Sequence, residues 1–204
     1  PGGNVGTAYG YYQMSGGSMT NSNWVQASRI GAMGLIYQDS GMIAIIGSGL
    51  VVANNGIGVV YQNGGVLSTP LVYMTFSANS RGELTVAGSA QLTVNGILYV
   101  CQAAGTSILN LQGGVVRANQ VYKNTASGLG FLNFNGGTLQ AGTSGAFVGA
   151  PGKMLDAAYV YRGGAVIDSQ SYSVTNSQSL LAPSGCGVAG LNLSAPVSGY
   201  LGAP

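Results

Sequence analysis

The chain has 204 residues, 46% of them hydrophobic and 36 of them Gly, but only 5% charged, where an ordinary soluble domain carries about a quarter. The six basic residues, Arg29, Arg81, Arg117, Lys123, Lys153 and Arg162, are scattered and leave a net charge of +2, so no basic patch for nucleic acid is expected. With no His a Cys/His metal site is excluded, and with no apolar run long enough to span a bilayer no transmembrane helix is expected.

In chain order the first β signal is YYQMSGG, ending at Gly17, where apolar and polar residues alternate and then meet a glycine corner. IYQDSG follows, ending at Gly41, and then an apolar run, Leu50–Ala53, stops at Asn55-Gly56. VYQNGG ends at Gly65, Leu71–Phe76 is a further β-like run, and LTVAGS ends at Ser89. After Asn95-Gly96 comes Ile97–Val100, then LNLQGG at Gly114, FLNFNGG at Gly137, Phe147-Val148 and YVYRGG at Gly164. The successive corners stand 24, 24, 24, 25, 23 and 27 residues apart. A helical turn is expected only around Gly152 to Ala158, inside the longest interval.

Apolar residues keep step with the corners. Five positions before each stand Tyr12, Ile36, Val60, Leu84, Leu109, Leu132 and Tyr159, which are the expected core stack. Two positions after stand Met19, Ile43, Leu67, Gln91, Val116, Leu139 and Val166. Three before stand Met14, Gln38, Gln62, Val86, Leu111, Phe134 and Tyr161. The two Gln interrupt that row, which predicts either a one-residue bulge or stacked amides. Units of about 24 residues with two or three short strands predict an all-β, parallel β-helix of about seven coils, turned at Gly17, Gly41, Gly65, Gly114, Gly137 and Gly164. Propeller blades need more residues, and sandwiches show no such period. The chain is expected to be a single β-helix segment over residues 1–204, regular over 1–171. Residues 172–204 are expected to form a less regular β-like strip or a further coil. Pro1-Gly2-Gly3 does not read as a signal peptide, so any export signal is expected outside this sequence.

LNLQGGVVRANQ, FLNFNGGTLQAG and AYVYRGGAVIDSQ resemble the autotransporter-associated β-strand repeat, also called the passenger-associated transport repeat. The likeness is strongest to the large secreted proteins of planctomycete and verrucomicrobial type. Further segments that carry it are Gly163–Asp168, Leu180–Gly185 and Ser198–Pro204, so it covers roughly residues 105–204. The resemblance implies a right-handed parallel β-helix, export, and a place at the cell surface or in extracellular fibres.

No catalytic residue, metal ligand or cofactor is expected. Glycoside cleavage needs two carboxylates about 5 to 9.5 Å apart. The only acids, Asp39, Glu83, Asp156 and Asp168, fall at four different offsets from their corners. Ser or Cys nucleophiles lack a His base. Cys101 and Cys186 leave open a disulfide or two separate thiols. Tyr37 and Tyr61, 24 residues apart, are the candidates for glycan contact, with aromatic stacking as the competing reading. Asn192-Leu193-Ser194 is the one N-glycosylation match. Neither end carries a charged cap, so self-association, head to tail or lateral, is expected. The leading functional expectation is a structural extracellular section of a fibre, sheath or filament. A glycan- or surface-binding adhesin is second, and a polysaccharide-cleaving enzyme third.

Overall fold

The structure is a computed structural model that describes residues 8–183. All strand pairs in it are parallel, and they stack as a β-solenoid of seven three-sided turns. The first turn holds β1 (Tyr9–Asn21) and β2 (Trp24–Arg29), and the second β3 (Met33–Ile45) and β4 (Gly49–Asn54). The third holds β5 (Ile57–Gln62), β6 (Val66–Thr69) and β7 (Val72–Thr75), and the fourth β8 (Ser80–Ala87) and β9 (Gln91–Cys101). The fifth holds β10 (Gly105–Gln112) and β11 (Val115–Lys123), and the sixth β12 (Leu129–Phe134), β13 (Thr138–Ala141) and β14 (Gly145–Val148). The seventh holds β15 (Ala157–Val160), β16 (Val166–Asp168) and β17 (Val174–Asn176), after which β18 (Leu180–Leu181) pairs with β15 and begins another. Where a turn has two strands, one of them continues around a corner. The face carrying the first half of β1 is called the first face below. The second face follows the glycine corner and the third closes the turn.

The core follows from period-2 alternation on each face. Ile36, Val60, Leu84, Leu109 and Leu132 are buried one above another, with Tyr12 half-buried at the end of the column. Tyr159 is not in this column: Leu132 faces Ala158, and Tyr159 lies outward in line with Asn133. Tyr161 is likewise exposed, and Val160 takes the place above Phe134. On the second face Ile167, not the exposed Val166, lines up with buried Leu139, and Leu92, not Gln91, lines up with Leu67 and Val116. Leu92 is set by one extra residue at the fourth-turn corner, and the seventh-turn shifts by two departures from the 24-residue spacing. The segment between β14 and β15 makes Phe131 face Ala157, and the next corner is longer again, so that Thr138 faces Val166. No helix occurs in that segment: Pro151-Gly152 form a turn closed by the Lys153 amide donating to the Ala150 carbonyl (2.8 Å), and Ala157 already begins β15.

Four of the six expected corner glycines, Gly17, Gly41, Gly65 and Gly164, adopt left-handed φ of +72°, +79°, +72° and +78°. Gly114 and Gly137 do not; there the preceding Gly113 (+118°) and Gly136 (+93°) make the bend. The second glycine of those pairs is needed for space, because a Cβ at Gly137 would stand 2.8 Å from the Leu111 Cβ.

Gln38 and Gln62 belong to the interior. The register runs unbroken through them, so no bulge occurs there; the irregularity comes one residue later, at Asp39. Nor do the amides pair with each other. Each Nε2 donates to the corner carbonyl of its own turn and to one on the next: Gln38 to Gly41 O and Val66 O (both 3.1 Å), Gln62 to Gly65 O (3.3 Å) and Gln91 O (3.1 Å). Both Oε1 atoms are buried without a partner, which costs free energy. The Gly65 carbonyl also accepts from the Gln91 amide (2.9 Å), so it stays satisfied without the side chain. Gln62→Leu is therefore expected to raise stability by about 1 kcal/mol in urea unfolding. A loss of similar size would mean that the amide is what holds the corner.

Candidate functional site

The clearest concave feature lies at the first-turn end of the rod axis. A cavity of about 410 Å³ is walled by Tyr12, Met19 and Val25 of the first turn, Ile36, Ile43, Ile45 and Leu50 of the second, and Leu67 of the third. Its rim carries Asn21, Trp24 and Gln26. The cause is local: on β1 and β2 the inward side chains have neighbours on one side only, because among the described strands β1 pairs with β3 alone and β2 with β4 alone. The same residues that would seal a middle turn here leave an apolar mouth.

Each aromatic row uses its rings on its neighbours. Tyr37 and Tyr61 lie opposite each other on β3 and β5, outward and half-buried, with centroids 5.5 Å apart and planes 15° apart. Stacking of this kind turns one face of each ring to the other along the rod, and the Asp39 carboxylate beside the Tyr37 hydroxyl raises that hydroxyl's pKa. A longer strip on the third face escapes the period. There Tyr73 stacks on Tyr99 at 5.0 Å and 9°, Tyr99 meets Tyr122 edge to face at 5.3 Å, and Trp24 and Phe76 each pack against Tyr73. Lys153 Nζ stands 4.5 Å from the Tyr122 centroid and closes the strip.

The four acids are held apart. Asp156 forms an ion pair with Lys123, whose Nζ reaches both carboxylate oxygens at 2.9 Å and also donates to Gly128 O at 2.8 Å. The Gly130 amide donates to Asp156 Oδ2 as well (2.7 Å). Asp168 accepts from the Gln170 amide and from the Gln170 and Gln140 side chains, and those bonds pull its carboxyl below the usual range. Glu83 accepts from Asn110 Nδ2 (3.1 Å) on the first face, and Asp39 sits at the second-turn corner. No group of three His, Cys, Asp or Glu side chains that could hold a metal occurs among the described residues.

Cys101 is buried; its thiol donates to Ala103 O (3.0 Å), accepts from Thr75 Oγ1 (3.3 Å), and is raised in pKa by burial. Cys186, Asn192 and the segment Ser198–Pro204 lie outside the described residues. No helix of the described residues is long and apolar enough to cross a membrane.

One set of residues had a signal at the same period that the corner indexing passed over. Gly10, Gly34, Gly58, Gly82, Ser107 and Gly130 stand in register on the first face and point inward. They are small because the third-face chain closes against them: a Cβ at Gly58 would overlap the Val52 carbonyl, and one at Gly82 the Met74 carbonyl. Ser107, the exception, spends its hydroxyl on the Val100 carbonyl.

Comparison with family models, curated proteins and solved structures finds no match to this chain.

Proposed function

We propose that the chain is a structural β-solenoid section of an extracellular fibre, sheath or filament, built by end-to-end stacking of turns. The observation that carries this reading is the apolar mouth at the first turn, bounded by the outer edge of β1, which has no partner among the described residues. Solenoids end in polar caps when they function alone, and an unpaired parallel edge over an apolar interior is a template for another turn. The low charge supports it, since little repulsion opposes close packing. So does the resemblance to the passenger-associated repeat, from which the extracellular setting comes. The expected result in electron microscopy is rods whose lengths are multiples of about 34 Å, seven turns at the interstrand spacing. Met19→Glu, which puts a charge in the mouth, is expected to abolish them while the far-UV circular dichroism stays that of the wild type. Isolated single rods at every concentration would sink the reading.

A further inference from the structure

The outward side of the first face carries two adjacent columns. In one, Tyr9, Met33 and Ile57 are exposed on the first three turns, Arg81 is exposed on the fourth, and Leu129 is exposed on the sixth. In the other, Tyr11, Leu35 and Val59 occupy the first three turns, Glu83 the fourth, and Ile108 and Phe131 the next two. Both columns change character on the same turn, with a cation in one and an anion two residues along the same strand in the other. Parallel sheets are ordinarily covered on both faces, and this one leaves several large apolar side chains in water.

We propose that this face pairs with the same face of a second copy about a two-fold axis parallel to the rod. An axis running between the two columns sets each column against the other one of the second copy, turn by turn. Met33 then meets Leu35, Ile57 meets Val59, and Leu129 meets Phe131. On the fourth turn Arg81 meets Glu83 and Glu83 meets Arg81, the reciprocal pattern of an isologous contact. The other in-plane two-fold, along the strands of the fourth turn, places Arg81 on Arg81 and Glu83 on Glu83, so the charges select the first. Both groups are available: the one ion pair among the described residues is Lys123–Asp156, and Glu83 is held in place by Asn110. Two sheets packing face to face stand about 10 Å apart, which side chains of the size of Tyr, Met and Arg fill. Six turns and five strand residues give a footprint of roughly 500 Å² per copy, about 1,000 Å² in all, at the lower bound for a specific contact. The contact is therefore a weak, reversible one. It does not depend on end-to-end stacking, and because both rods point the same way it leaves their open ends free for it.

Sedimentation of the full-length Met19→Glu chain, in which end-to-end stacking is blocked, tests the pairing over a concentration series. The expected result is a monomer–dimer equilibrium that stops at two. Arg81→Glu and Glu83→Arg are each expected to weaken it by about tenfold or more through like-charge contact. The double exchange Arg81→Glu/Glu83→Arg restores it to within about threefold of wild type, because reciprocal pairs are recreated. Both sites are exposed, and unchanged circular dichroism confirms folding. Met19→Glu leaves this dimer intact, which separates its failure from that of end stacking. A chain that is monomeric throughout, single exchanges without effect, or a double exchange no better than either single one would each overturn the proposal. If the chain is monomeric, hydroxyl-radical footprinting of Tyr9 and Met33 distinguishes an open face from one covered by residues 184–204; both results count against the dimer.

Discussion

Phe134→Ala is expected to lower the unfolding free energy by about 4 kcal/mol, enough to unfold much of a marginally stable chain. Phe134 is among the largest fully buried side chains and sits between Leu111 below and Val160 above. A solenoid turn has only two neighbours. The cavity therefore cannot be filled from a wider core, and both junctions of the sixth turn weaken. Urea unfolding measures the loss. Tyr161→Ala is the control that makes the test specific. Counting from the corner places Tyr161 in the Phe134 row, whereas its side chain is exposed and Val160 fills the row. Its removal is expected to cost no more than about 0.5 kcal/mol. Equal losses for the two would restore the register counted from the corner.

Gly58→Ala is expected to cost about 3 kcal/mol or more, although one methyl group is the whole change. The cause is space and not backbone freedom, because Gly58 is absent from the positive-φ residues and its missing Cβ would overlap the Val52 carbonyl. The overlap is with backbone, which cannot swing away, and moving it disturbs the closure between the third and first faces. Gly164→Ala provides the complement. There φ is +78° and no atom lies within 4 Å of the added carbon, so only the left-handed conformation is penalised, by about 1 kcal/mol. Soluble yield and the urea midpoint read both. If the two substitutions cost the same, steric closure of the corner is not what the glycine column provides.

The solenoid and its period were legible because the two strongest local signals, left-handed glycine corners and alternating apolar residues, recur together. What counting from the corner could not supply was the distance from corner to strand, which it took as constant. That distance changes at the fourth corner, where Leu92 and not Gln91 turns inward, and in the seventh turn, where Ala158 and Ile167 do so and Tyr159 and Val166 do not. The third-face aromatic strip was invisible for a related reason: Tyr73 faces Tyr99 and Tyr99 faces Tyr122, spacings on either side of 24. Gln38 and Gln62 kept the period but not the polarity, and their interior place depends on carbonyls of the next turn that no local pattern names. The open mouth and the charge-centred face are properties of stacking. They appear only when residues from successive turns are laid side by side.

Because every ladder pair joins one turn to the next, the hydrogen bonds between turns run along the rod. A pull spread over the whole cross-section, as stacked neighbours would apply it, loads all the bonds of a junction together instead of peeling them one at a time. Strength under tension is then set by the junction with the shortest ladders. Among the seven complete described turns that is the junction between the sixth and seventh, where the first-face register runs only from Phe131 to Phe134 and the second-face register only from Thr138 to Gln140. A stretched rod would part there first and leave six turns whole, so the chain contains its own mechanical fuse.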